Sequence, residues 1–164
     1  MISCLEAIPN IITKNPNIQF VIVGGNEHEI AHYKKQLGDA NALQNVQFLS
    51  MIHPDKLPAY LAAADILLAP RKSGINSPLK ILDYFKAGAA IVATNTTANQ
   101  RLLNSENAKL SEFSAAAFSE AINELATSKE EREKLGKNAH ALYQQTYNFS
   151  EYSKQLKAVY EHLK

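Results

Sequence analysis

The residues best suited to chemistry lie between Arg71 and Asp83, where a polar loop carrying Gly74 and Asn76 leads into a helix with Pro78 at its first position. The first turn of such a helix offers unpaired N–H groups to an anion. Here they belong to Ser77, Leu79 and Lys80, since Pro78 has no N–H to give. Arg71 stands at the predicted C-terminal end of the preceding strand, where ligands bind in open parallel sheets. Together with Lys80 it suits a phosphate. Asp83 is three residues from both Lys80 and Lys86, a spacing that equally suits solvated helix ion pairs.

These residues need a frame, and the surrounding sequence reads as strand, loop, helix, glycine stop at Gly88 and a second buried strand, Ala90 to Thr94. The strand before the loop, Asp65 to Pro70, is apolar nearly throughout, as expected when helices cover both faces of a parallel sheet. Upstream, Ser3 to Asn15 reads as a helix with Leu5, Ile8, Ile11 and Ile12 inward and Ser3 with Glu6 as a capping box. Ile18 to Val23 is a strand that stops at Gly24 and Gly25. A helix over Glu27 to Leu37, a polar loop from Gly38 to Asn45, a strand over Val46 to Leu49 and a helix over Lys56 to Ala64 follow.

Beyond Thr94 the pattern predicts a short helix from Thr97 to Leu103 and an edge strand at Ala108 to Leu110. Three helices follow: Ser114 to Ala126 capped by Ser114, Lys129 to Tyr147, and a last one from the cap Ser150 to about Lys164. The alternation of strand and helix argues for a doubly wound, mainly parallel α/β sheet in a single domain spanning residues 1–164. A dinucleotide-type sheet normally starts with a strand that becomes its central member, whereas this order starts with a helix. Either another strand order is used or the first strand is lacking.

The totals exclude several classes. A chain of 164 residues with 46% hydrophobic and 20% charged residues is ordinary for a soluble globular domain. A formal net charge of +1, with no run of Lys and Arg, argues against nucleic acid as a partner. The single cysteine, Cys4, excludes an internal disulfide, and the histidines share no metal-ligand spacing, so no metal is expected. No apolar run approaches the roughly 18 to 20 residues of a membrane span and no signal peptide opens the chain, which makes a cytoplasmic protein the default. His53 before Pro54 reads as a helix-entry residue, and Tyr143, Tyr147, Tyr152 and Tyr160 as packing residues.

Taken in order, Phe20 to Gly25, Val46 to Leu49, Lys56 to Asp65, Ser77 to Gly88 and Ile91 to Thr94 resemble the C-terminal, donor-binding half of a GT-B glycosyltransferase of the group 1 kind. The resemblance runs from about Ser3 to Tyr147 and is carried by order and spacing together. It implies retaining transfer of a hexose-type sugar from a UDP- or GDP-sugar, in polysaccharide or glycoconjugate biosynthesis. The family's E-x7-E motif falls on Ile75 and Asp83. Asp83 then takes the role of the second Glu, whose carboxylate holds the ribose hydroxyls. An acceptor-only carboxylate suits a diol.

The resemblance places Arg71 and Asn76 in a variant loop in which Arg71 neutralises the leaving diphosphate as a bidentate donor. It has the Gly24-Gly25 turn let backbone approach the donor, and Leu49 to His53 line the base pocket. It also implies a separate N-terminal acceptor domain, a preceding strand and cationic loop, and peripheral membrane association of the whole enzyme. In that context the last helix, Phe149 to Leu163, leaves an apolar face exposed in this chain, which favours self-association. Two other readings stay open on the residues alone. One is a non-catalytic nucleotide-sugar or partner module that needs a second chain, and the other is a flavodoxin-like or receiver-type domain. A receiver needs acidic residues at the ends of its first strands, which Val23-Gly24-Gly25 does not offer.

Overall fold

Strand and helix alternate along the chain because β-branched and aliphatic runs are cut at regular intervals by Gly, Pro and Asn. A computed structural model describes residues 2–38, 40–73, 76 and 78–161. Its elements are α1 (Ile2–Lys14), β1 (Phe20–Val23), α2 (Glu27–Leu37), α3 (Ala40–Leu43), β2 (Val46–Leu49) and a 3-10 turn (Pro54–Lys56) that runs into α4 (Leu57–Ala62). Then come β3 (Ile66–Ala69), α5 (Lys80–Ala87), β4 (Ala90–Thr94), α6 (Thr97–Gln100), β5 (Lys109–Ser111), α7 (Ala115–Thr127) and α8 (Lys129–Leu142). A π-helical turn (Tyr143–Tyr147) and α9 (Phe149–Glu161) end the described chain.

Every strand pairing is parallel, with Phe20 opposite Val46, Ile66 opposite Ala90 and Val92 opposite Lys109. Among the described residues the strands form two sheets, β1-β2 and β3-β4-β5. One apolar cluster nevertheless spans both. Phe20 and Ile22 from the first sheet and Ile66, Leu68 and Val92 from the second pack with Leu5, Ile8 and Ile11 of α1 and Phe118 and Ile122 of α7. A second cluster on the opposite face joins Ala69, Ile91 and Ala93 to Ile81 and Phe85 of α5 and Ala139 of α8. The expected doubly wound parallel arrangement is therefore present, in two sheet pieces over a shared core.

The local differences have physical reasons. Helix α1 already begins at Ile2, so Ser3 lies inside it and is not its cap. The cap of α9 is Asn148, whose Oδ1 accepts from Glu151 N–H at 3.0 Å; Ser150 lies within the helix. The Gly38 to Asn45 stretch contains the one-turn α3 because Ala42 and Leu43 dock on the shared core. The short helix after β4 stops at Gln100, and the edge strand runs one residue later than the pattern suggests. Regular α5 starts at Lys80, two residues beyond Pro78: Ile81 and Leu82 N–H reach back only three residues, to the Pro78 and Leu79 carbonyls at 3.0 Å each. Such tightened bonds are common at helix ends. At the other end Gly88 takes a left-handed cap with φ 73° and donates to Tyr84 O. Helix α8 passes so near that a Cβ on Gly136 would overlap the Gly88 carbonyl oxygen.

Candidate functional site

The loop after β3 is tied down before it reaches α5. The Arg71 N–H donates to Thr94 Oγ1 at 2.8 Å, and the same hydroxyl donates to Arg71 O at 2.7 Å. The guanidinium turns back on its own loop: Nε donates to Ser73 O and Nη1 to Asn76 O, both at 2.8 Å. A guanidinium has five N–H donors, and among the described residues three of them have no partner and could meet an anion. Arg71 is thus first a brace for the loop, and Asn76 meets it through its carbonyl oxygen.

Lys80 opens α5. The residue as a whole is exposed, yet its ammonium lies 5.7 Å from the centre of the Tyr84 ring, a cation–π distance. Desolvation there lowers the Lys80 pKa, and the nearby Arg71 charge lowers it further against the opposing pull of Cys4. Tyr84 donates its hydroxyl to Leu68 O at 3.2 Å, and burial, followed by the charge of Asp83, pushes its pKa up to about 12. Buried Cys4 of α1 completes the group, its thiol pushed up to about 11 by burial.

Asp83 lies one turn further along α5 and is exposed. It lines an open cleft of about 430 Å³ between α5, the π-helical turn and α9, with Leu82, Tyr143, Tyr147 and Tyr152 among its walls. No ion pair joins it to Lys80 or Lys86 among the described residues. The carboxylate is thus open to a ligand on the side of the helix that faces the cleft.

Gly24 and Gly25 follow β1 with φ 109° and 91°, a region that side chains rarely enter. A Cβ on Gly24 would meet nothing within 4 Å, so the backbone there is open. Leu79 is 78% exposed and Met51, in the loop after β2, is 85% exposed. Ser77 and Ile75, with His162 and Leu163, lie outside the described residues. Among the described residues no cluster of three or more His, Cys, Asp and Glu could hold a metal ion, and no helix is long and apolar enough to cross a membrane. His53 does act at a helix entry, its Nδ1 accepting from Asp55 N–H at 3.4 Å. The sequence reading missed Thr94 and Asn99, whose one visible sign is a hydroxyl ending an otherwise apolar strand.

Comparison with known proteins places this arrangement. The family described as "Glycosyl transferases group 1" matches residues 2–128. Spore coat protein SA of Bacillus subtilis (strain 168) is 27% identical over 169 aligned positions, covering 96% of this chain and 44% of that protein. A phosphatidyl-myo-inositol mannosyltransferase of Mycolicibacterium smegmatis is 28% identical over 60% of this chain and 25% of its own length. The chain therefore spans less than half of either relative. Among solved structures, the C-terminal domain of the group 1 glycosyl transferase LpcC from Francisella tularensis superposes with a TM-score of 0.79 at 19% identity, over 90% of this chain and 79% of that one. Anabaena Alr3699/HepE in complex with UDP superposes with a TM-score of 0.83 at 16% identity, over 95% of this chain and 44% of that one. The fold is that of glycosyltransferase C-terminal domains, and the chain belongs to the glycosyl transferases group 1 family.

Proposed function

We propose that this chain is the donor-binding part of a retaining glycosyltransferase that takes a hexose-type sugar from a UDP- or GDP-sugar. The observation that carries the reading is the braced Arg71–Asn76 loop running into the start of α5, with Lys80 at the first helical position and Asp83 one turn on. In this reading the diphosphate meets the N–H groups at Ser77, Leu79 and Lys80, the Lys80 ammonium and the uncommitted N–H donors of Arg71. Those donors stabilise the charge that grows on the leaving group. Asp83 accepts from the ribose hydroxyls, and the open backbone at Gly24, in the turn it forms with Gly25, admits the donor closely. The lowered Lys80 pKa belongs to an ammonium that has already shed part of its water and gains from an anionic partner.

Transfer needs an acceptor site, for which the relatives' additional length leaves room. In the proposal a separate N-terminal domain supplies it, a further strand joins the two sheet pieces, and the isolated chain binds donor without turning over. UDP in the Anabaena complex and sugar transfer in the name of the mycobacterial relative support the donor class by analogy. Thermal melts with UDP, GDP and their sugars test it. A ligand at 100 times its Kd stabilises the fold by about 2.7 kcal/mol, and Asp83→Ala should remove the shift. No shift with either nucleotide at millimolar concentration overturns the reading.

A further inference from the structure

Thr94 and Asn99 are both fully buried, polar and distant in sequence from the loop they serve. The β3-β4 ladder ends at Ala69 opposite Ala93. One residue later the Thr94 side chain takes over the pairing, accepting from Arg71 N–H and donating to Arg71 O. One hydroxyl so satisfies both backbone groups of a residue that has just left its sheet. Behind it, Asn99 Nδ2 donates to Thr94 O at 2.8 Å and lies 3.4 Å from Thr94 Oγ1. The hydroxyl then has its donor and both acceptor positions engaged.

The Asn99 amide is held for this purpose at a cost. Its Oδ1 is buried without a partner among the described residues, and turning the amide over would set an acceptor against the Thr94 carbonyl. Ahead of Thr94, the Arg71 guanidinium carries the tie on to Ser73 O and Asn76 O. Hydrogen bonds therefore run without a break from α6 through the end of β4 to Asn76.

We propose that Thr94, oriented by Asn99, is a positioning residue that sets Arg71, together with the Ser73 and Asn76 carbonyls it holds, for the anion bound at the start of α5. The inference rests on the donor-binding reading above, and its test separates the two. Three variants of the chain are compared: Thr94→Val, near-isosteric but without the hydroxyl, Thr94→Ser, which keeps it, and Asn99→Ala. Exchange of the Arg71 amide is followed by NMR without ligand, and UDP and GDP affinities by calorimetry well below the melting temperature. Leaving one partner of a buried hydrogen bond unsatisfied costs about one to two powers of ten in an equilibrium constant. Thr94→Val should therefore speed Arg71 exchange and weaken nucleotide binding by about 10- to 100-fold. Thr94→Ser should restore both to within about threefold, and Asn99→Ala should fall between.

Wild-type Arg71 exchange and affinity in a folded Thr94→Val chain overturn the proposal, as does failure of Thr94→Ser to rescue. Should Thr94→Val not fold, unchanged Arg71 exchange in Asn99→Ala overturns it and faster exchange supports it. A wild-type chain that binds neither nucleotide sinks the donor reading. Arg71 exchange then still decides whether Thr94 holds the loop.

Discussion

Strands β4 and β1 both carry Ile and Val in a largely apolar run and end in opposite circumstances. All five residues of β4 are buried, between β3 and β5 in the sheet and between α5 and α8 on one face and α7 on the other. In β1, Phe20 is buried and Ile22 packs on the core, while Val21 and Val23 are 52% and 38% exposed. An apolar run in one place closes the core, and in the other it presents a bare face. Helix α9 belongs to the second kind: Phe149, Tyr152 and Val159 are 81%, 57% and 57% exposed at helical spacing, and no residue of the helix is buried. The C-terminal sheet, which carries the candidate loop, covers itself. The N-terminal sheet and the last helix hold apolar surface of the sort that meets another body of protein, whether a further domain or a second copy.

The largest expected effect lies in the closed region. Ile91→Ala removes a side chain with 0% exposure at the centre of the cluster between β4 and α5, and should cost about 4 kcal/mol in urea unfolding. Gly136→Ala comes next, at about 3 kcal/mol. The added methyl meets a backbone carbonyl at Gly88, which yields less readily than a side chain. If Ile91→Ala proved nearly neutral, β4 would not be a closed strand.

A third effect is titrated. Folded-state pKa values of Cys4 and Tyr84 are raised by burial, from 9.0 to about 11 and from 10.0 to about 12. Raised values mean that the fold prefers the protonated forms. Their stability is present in full below pH 9 and is lost as pH climbs through about 11 and then 12. Lys80 works the other way: its lowered pKa adds stability as pH rises past the folded value. With about 1.4 kcal/mol per pH unit, Cys4 alone should lower stability by about 2 kcal/mol between pH 9 and 11. Cys4→Ala should flatten the pH 9 to 11 segment. An unchanged alkaline slope in that variant would remove Cys4 from the account.

Much of this frame is legible in the sequence because it rests on local pattern. Helix α2, strands β2 and β4 and the Ser114 cap of α7 stand where periodicity and capping residues put them. Other features are decided by distant partners. Ala42 and Leu43 form a helical turn because the core receives them, and Ser3 loses its capping role because α1 already runs through it. The candidate site divides in the same way. Arg71, Lys80 and Asp83 are readable as charged residues at the end of a strand and the start of a helix. That Arg71 spends two donors on Ser73 and Asn76 depends on a loop shape no spacing rule contains, and the Thr94 tie joins residues 23 positions apart.

The smallest effect is the one that tests the comparison most directly. Val21→Thr keeps the β-branched shape on a residue that is half exposed, so in this chain it should change stability by no more than about 0.5 kcal/mol. In a longer form of the protein, of the relatives' length, the same substitution should cost more than about 1 kcal/mol if that face is covered, since a hydroxyl would then be buried beside apolar groups. The same variant thus reads the face twice, once bare and once in the longer chain. Equal small costs in both would mean that β1 keeps its bare face there too, and that the exposed valines are not a contact surface.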